Sequence, residues 1–295
     1  MDQTPTRTAQ GYAAAAGTVL IWAGFILASR LGGKTGLTSW DIVALRLGTA
    51  SLLLLPFSFR LPVGTWRSPQ LWALSGTGGL AFLVLAYAGL TRAPAAHGGI
   101  LLPGMQPFLV TWLAWWVLGS RPTRQRLLAL LPIALGVACV AAPQFLQTTS
   151  HTSSWLGDAL IFSASIAWAL YSVLVKKWPQ DPWLLTRFVA LSCCAVYMPI
   201  YLLWLPKAID RVSTGMLIFQ ALYQGIGPTI VAMILFLKAV SILGAERTGA
   251  LVALVPVLAG LAAVPLLGEP LTGWLLAGLA LVSGGAWLAS KAPAR

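Results

Sequence analysis

Residues 76–136 read GTGGLAFLVLAYAGLTRAPAAHGGILLPGMQPFLVTWLAWWVLGSRPTRQRLLALLPIALG, and residues 225–285 read GIGPTIVAMILFLKAVSILGAERTGALVALVPVLAGLAAVPLLGEPLTGWLLAGLALVSGG. The two stretches align without a gap at a constant offset of 149. Gly76 falls on Gly225, Gly78 on Gly227, Pro107 on Pro256, Gly119 on Gly268, Thr123 on Thr272 and Gly136 on Gly285. Further upstream the offset is 146: Trp22 falls on Trp168, Phe25 on Tyr171 and Arg30 on Lys176. Arg46 falls on Arg187. Apolar helical sequences share Gly and Pro by composition alone, but a register held over about 60 residues marks an internal repeat.

Outward from the repeat, the chain is a succession of apolar runs. A membrane span needs about 20 mostly apolar residues. Ten are expected, over roughly 11–31, 41–59, 69–91, 97–118, 124–143, 154–175, 182–204, 214–240, 246–267 and 272–290. The breaks carry turn chemistry: Gly32-Gly33-Lys34, Arg60-Leu61-Pro62, Gly119-Ser120-Arg121-Pro122, Trp178-Pro179-Gln180-Asp181-Pro182 and Gly268-Glu269-Pro270. The longest polar gap, Gln147 to Ser154, falls halfway along the chain. The expected fold is an all-α membrane protein of ten transmembrane helices, divided into residues 1–146 and 147–295. Five spans per copy put the second copy into the membrane upside down, so the repeats are expected to be inverted. Arg7 before an apolar run invites a signal-peptide reading. The run is too long for that, and it has a partner in the second half.

Composition agrees. Hydrophobic residues make up 58% of the 295, charged residues only 9%, and the mean hydropathy is +0.82. A soluble domain carries about 25% charged residues, so lipid is the expected solvent. The 19 Lys and Arg outnumber seven acids, but they are scattered between apolar runs and form no basic face, so nucleic acid is not an expected partner. Placing the N-terminus inside puts twelve cations on the inner side and five on the outer. That asymmetry places both termini in the cytoplasm and the Gln147–Ser154 loop outside. The compact loops fit a bacterial inner membrane. Cys139, Cys193 and Cys194 sit in apolar segments and suggest neither disulfide nor metal.

Candidate site residues follow from polarity and aromaticity at mid-span. Trp22 and Phe25 share a helix face, as do Trp168 and Tyr171. Both pairs lie away from the interface belts where such rings concentrate, and the expectation is two aromatic walls facing a pocket. Tyr87, Gln106, Tyr223 and Gln224 are polar groups at depth, which need partners or a wet cavity. Pro107 and Pro256 break their helices near the middle, where substrates of such carriers bind. Arg46 and Arg187 either attract a substrate carboxylate or serve structure, by snorkelling or by pairing with Asp41 and Asp181. His97, opening the fourth span, is a candidate for charge recognition or gating.

The seven acids are Asp2, Asp41, Asp158, Asp181, Asp210, Glu246 and Glu269, and none is expected at mid-span. A proton-coupled antiporter of cationic drugs needs such a carboxylate, so that class is disfavoured and transport is expected to continue without a proton gradient. Phosphate-cradling and nucleophile–His–acid motifs are missing, which argues against an ATP-driven pump or an enzyme. No cofactor or metal is expected.

The sequence resembles the drug/metabolite transporter superfamily, and within it the EamA-type ten-span exporters. The resemblance covers essentially the whole chain. It rests on Trp22-Ala23-Gly24 and Trp168, on Arg46 and Arg187, on Leu243-Gly244-Ala245 through Leu254-Val255-Pro256, and on Leu267-Gly268-Glu269-Pro270-Leu271-Thr272 followed by Gly278 and Gly284-Gly285. The first half departs from the last motif, with Ser120 where the family usually has Glu. The resemblance implies export of amino acids, related metabolites or drugs. It also implies a central cavity ringed by spans one to four and six to nine, with the fifth and tenth outside. The competing readings are a permease for another metabolite or drug, and a non-transporting intramembrane protein. Gly273 and Ala277 would permit close helix approach between subunits, but they also suit packing within one, so a monomer is expected and a dimer is the alternative.

Overall fold

A computed structural model describes residues 5–59, 61–90, 100–146, 155–267 and 273–291. Every regular element among them is helical. In chain order they are α1 (Pro5–Lys34), α2 (Ser39–Ser58), α3 (Pro69–Leu74), α4 (Phe82–Leu90), α5 (Gln106–Leu118), α6 (Arg124–Leu146), α7 (Trp155–Lys177), α8 (Pro182–Trp204), α9 (Thr214–Ile226), α10 (Ala232–Leu243), α11 (Ala245–Val252), α12 (Val255–Leu267) and α13 (Gly273–Lys291). Short turns at Val63–Trp66 and Ile209–Arg211 sit in the connections.

Helix starts follow the expected side-chain caps. Thr38 and Asp41 form a reciprocal capping box at the start of α2, with bonds of 3.1 and 2.9 Å. Asp181 accepts from the Leu184 N–H at 2.7 Å, with Pro182 at the first helical position of α8. Gly119 ends α5 at φ +69°, a conformation closed to most residues.

Three π-helical segments interrupt the spans. Ser75–Ala81 joins α3 to α4, Gly227–Val231 joins α9 to α10, and Ile100–Gly104 leads toward α5. The first two contain the matched residues Gly78 and Gly227. The physical cause is clearest in the second. Pro228 has no N–H for the Gln224 carbonyl four residues back. The Thr229 hydroxyl donates to that carbonyl instead, at 2.7 Å. The α11–α12 break at Ala253–Leu254 lies just before Pro256.

Among the described residues, eight helices are long and apolar enough to cross a membrane: Thr6–Ser29, Ser39–Ser58, Pro69–Gly89, Leu101–Leu118, Leu156–Lys177, Pro182–Trp204, Thr214–Leu243 and Ala245–Ala262. The residues expected to form the fifth and tenth spans fold as α6 and α13, which fall outside that set. Arg124 and Arg126 raise the polarity of the first turn of α6, and the apolar stretch found in α13 is the shorter Leu276–Gly285.

The pairing of helices is orderly. α1 packs on α10, α11 and α12; α7 packs on α4 and α5. α2 lies against α8 and α9, and α8 against the π segment that follows α3. α6 and α13 pack on each other. Glycine brings them close: a Cβ on Gly136 would lie 2.9 Å from the Val282 nitrogen and 3.0 Å from the Gly278 carbonyl, and one on Gly285 would lie 3.0 Å from the Ala129 carbonyl. Gly273 and Ala277 are exposed instead. Polarity runs opposite to that of a soluble protein. Leu52, Trp116, Leu131 and Trp287 are exposed on the outside, while Thr18, Ser165, Gln220, Gln224 and Thr248 are fully buried. Lipid accepts that surface and water would not.

Candidate substrate site

The longest-range pairing of aromatic residues lies where the two halves meet. Trp22 of α1 and Trp168 of α7 touch edge to face, centroids 5.3 Å apart at 75°. Phe236 of α10 lies 5.3 Å from Trp22 and 5.4 Å from Trp168. Phe82 of α4 closes on Trp168 at 4.8 Å. Two further contacts repeat at matched positions. Phe25 meets Tyr87 at 6.5 Å, and Tyr171 meets Phe236 at 6.5 Å. Tyr87 and Phe236 are themselves matched at the offset of 149. The expected walls are thus in direct contact rather than separated by open space, and a substrate's apolar body would have to part Trp22 from Trp168.

Tyr171 is fully buried and lies on the backbone of the Ser75–Ala81 segment, where a Cβ at Gly78 would overlap its ring. Its hydroxyl faces the Met233 sulfur at 3.5 Å. Its ring also lies 5.3 Å from Trp168, so it forms the buried side of the cluster.

Arg46 enters this cluster from α2. It is 8% exposed, and its guanidinium carbon lies 5.6 Å from the Phe25 ring centroid. Its Nε donates to the Thr229 hydroxyl at 2.7 Å, and that hydroxyl in turn donates to the Gln224 carbonyl. The Tyr87 phenol lies within electrostatic reach of Arg46, and its hydroxyl is buried without a hydrogen-bond partner. Among the described residues no carboxylate pairs with Arg46. The expected pairing with Asp41 does not form, because Asp41 sits in the first turn of α2 and is already saturated. Its oxygens accept from Tyr201 at 2.7 Å, Ala208 N at 3.0 Å and both donors of Thr38.

Arg187 behaves differently. It bonds the Phe57 carbonyl at 2.5 Å and lies 5.4 Å over the Trp183 ring, tying the end of α2 to α8. Asp181 is occupied as a helix cap, so the expected Arg187–Asp181 pair does not form either. Arg126 forms a salt bridge with Glu246 at 3.2 Å, joining α6 to α11, and also donates to Thr111 at 3.2 Å.

Gln106 and Gln224 stand outside the ring cluster. Gln106 donates to the Leu102 and Ser165 carbonyls at 3.2 and 3.1 Å, fastening the π segment before α5 to α7. The Ser165 hydroxyl adds bonds to the Leu101 and Leu102 carbonyls. Gln224 donates to Ser29 and Gln220, both at 3.2 Å. Each glutamine keeps a buried carbonyl oxygen without a partner. Tyr223 donates to the Ile21 carbonyl of α1 at 3.1 Å. His97 and the Gly268–Thr272 motif lie outside the described residues, as does the Gln147–Ser154 loop.

Sequence reasoning missed Phe236, Phe82 and Thr229. The register that matches Tyr87 with Phe236 was a signal for the first. Thr229 had none, because its matched position is Leu80.

A lipid-facing exterior, eight span-length helices and a buried aromatic cluster holding a cation define a multi-span α-helical membrane protein. The chain belongs to the EamA-like transporter family, whose model matches residues 9–142 and 155–291. A similar protein is the uncharacterized transporter YyaM of Bacillus subtilis (strain 168), 24% identical over 179 residues, or 60% of this chain. The match spans 58% of that relative's length. A solved crystal structure shares the fold at a TM-score of 0.74, with 21% identity and 97% of each chain covered.

Proposed function

We propose that the protein is a ten-span carrier of two inverted five-helix repeats, residues 1–146 and 147–295, that exports small neutral or zwitterionic metabolites, amino acids foremost, by alternating access across a bacterial inner membrane. α6 and α13 then serve as the fifth and tenth spans, both termini are cytoplasmic, and the carrier works as a monomer. Substrate occupies the interface of the halves, between the Trp22/Phe25 and Trp168/Tyr171 faces, with the Tyr87 hydroxyl and, at the margins of the ring cluster, the unpartnered carbonyl oxygens of Gln106 and Gln224 supplying polar contacts.

The observation that carries this reading is the meeting of matched residues. Trp22 touches Trp168, and the Phe25–Tyr87 contact has its counterpart in Tyr171–Phe236. Helix pairing supports it. Exchanging the halves turns the packing of α1 on α10 and α12 into that of α7 on α4 and α5, and leaves α2–α8 and α6–α13 unchanged. A rocking motion of one half against the other would open such an interface to each side in turn. The test is counterflow of labelled amino acids in sealed proteoliposomes, with Trp22→Ala and Trp168→Ala variants checked for thermal stability. Loss of counterflow in folded variants is expected. Normal transport by both rejects the site. A cysteine placed at residue 150 should be labelled only from outside, and cytoplasmic labelling rejects the topology.

A further inference from the structure

We propose that Arg46 and Tyr87 form the seat for a carboxylate, so that the preferred substrates are apolar or aromatic organic acids, with amino acids accepted through their carboxylate rather than their ammonium group. This rests on the transporter reading and extends its substrate class from neutral and zwitterionic metabolites to carboxylate anions.

Four observations carry the assignment. Arg46 is nine-tenths buried in a span-length helix, and its Nε donates to Thr229. Beyond that bond, the polar group beside the guanidinium is the Tyr87 hydroxyl, close enough to interact but not in good hydrogen-bond geometry. A guanidinium stays protonated at every accessible pH and offers paired N–H donors that match a carboxylate. Such a charge at membrane depth is costly unless something balances it. Second, the buried Tyr87 hydroxyl beside it lacks a partner. A phenol can donate to a carboxylate oxygen that a guanidinium holds from the other side.

Third, the acids are engaged elsewhere. Asp41 is saturated by Thr38, Tyr201 and Ala208, Asp181 caps α8, and Glu246 pairs with Arg126. Asp158 stands in the first turn of α7 and Asp210 in the Ile209–Arg211 turn. None of these described acids reaches the ring cluster, so a substrate ammonium would find aromatic faces and no carboxylate. Fourth, Phe25 touches both donors, and one helical turn along α1 Trp22 meets Trp168 and Phe236. A ligand anchored by its carboxylate at Arg46 would therefore lay its apolar body on these rings.

The experiment measures binding to the full-length protein in nanodiscs, by thermal shift and tryptophan fluorescence. The probes are 3-phenylpropionate (carboxylate only), phenethylamine (amine only), phenylalanine (both) and chloride. The acid and phenylalanine should bind, and phenethylamine and chloride should not. Tyr87→Phe deletes the unpartnered hydroxyl while keeping the ring, so it should fold, and it should weaken 3-phenylpropionate about tenfold or more, as for a hydrogen bond to a charged group. Arg46→Lys should retain part of the affinity that Arg46→Gln loses. Phenethylamine binding as tightly as 3-phenylpropionate overturns the proposal, as does equal protection by chloride or unchanged affinity in Tyr87→Phe. Counterflow of phenylalanine that phenethylamine inhibits as well as 3-phenylpropionate does would leave the transporter reading standing and the carboxylate seat rejected. Failure of every probe to bind, and of every amino acid to move, overturns both.

Discussion

Arg46 and Arg187 occupy matched positions in the two halves, and the structure uses them in opposite ways. Arg46 is buried against Phe25, beside Tyr87, with its Nε on Thr229. Arg187 is half-buried and turns to the Phe57 carbonyl at the end of α2 and to the Trp183 indole of its own helix. The arginine is the same; the surroundings differ by two substitutions. Where the second half supplies Thr229, the first has Leu80, and where the first half supplies Tyr87, the second has Phe236. A repeated frame thus carries one polar centre rather than two.

The largest expected effect tests that contrast directly. Arg46→Gln should lower transport by at least about tenfold, the value of a charge-assisted contact. Arg187→Gln should change it by less than about twofold, since the lost contacts are partly exposed and worth about 1 kcal/mol or less. Equal losses in flux assays of the two purified variants would erase the distinction.

A second contrast concerns the matched glycines of the π segments. A Cβ at Gly78 would run into the Tyr171 ring, whereas one at Gly227 would meet Ile21 at an ordinary 3.5 Å. Gly78→Ala should therefore destabilise by about 1–3 kcal/mol through overpacking. Gly227→Ala should be neutral or stabilising by up to about 1 kcal/mol, the helix-propensity gain. Reversible unfolding of both variants in mixed micelles measures the difference, and comparable destabilisation would refute it.

The smallest expected effect is on stability at the matched rings. Phe236→Tyr buries a new hydroxyl at a position 2% exposed and should cost about 1–2 kcal/mol. Tyr87→Phe removes an unpartnered hydroxyl and should cost nothing. The same unfolding assay decides it; a larger cost for Tyr87→Phe would mean that the hydroxyl has a partner in the membrane.

Much of the helical frame was legible because lipid imposes long apolar runs and the turns between them are written in Gly, Pro, Asp and Ser. The register made Trp22, Phe25, Trp168 and Tyr171 stand out, and the structure brings all four into one cluster. Their direct contact was not legible, since periodicity tells which face a ring occupies and not how far the opposite face stands away. Gln106 and Gln224 were legible as polar groups needing partners, but the backbone carbonyls and neighbouring side chains that receive their N–H groups follow from packing around π segments and prolines. The roles of Asp41 and Asp181 as caps were open to reading from Thr38-x-x-Asp41 and Asp181-Pro182, and proximity in sequence to an arginine was the weaker signal.

The solitary charge of Arg46 has an electrical consequence. With no described acid beside it, an unloaded carrier presents a positive site, and a bound monoanion makes it neutral. When the site changes sides, the unloaded step moves charge through the membrane field and the loaded step does not. A full elementary charge crossing the field is worth about 2.3 kcal/mol per 100 mV. An inside-negative voltage would then return the unloaded site to the cytoplasm and bias the cycle toward export of anions. Initial efflux of an organic acid from proteoliposomes clamped with potassium and valinomycin should rise as the lumen is made negative, and voltage-independent efflux would show that the charge of Arg46 is balanced throughout the cycle.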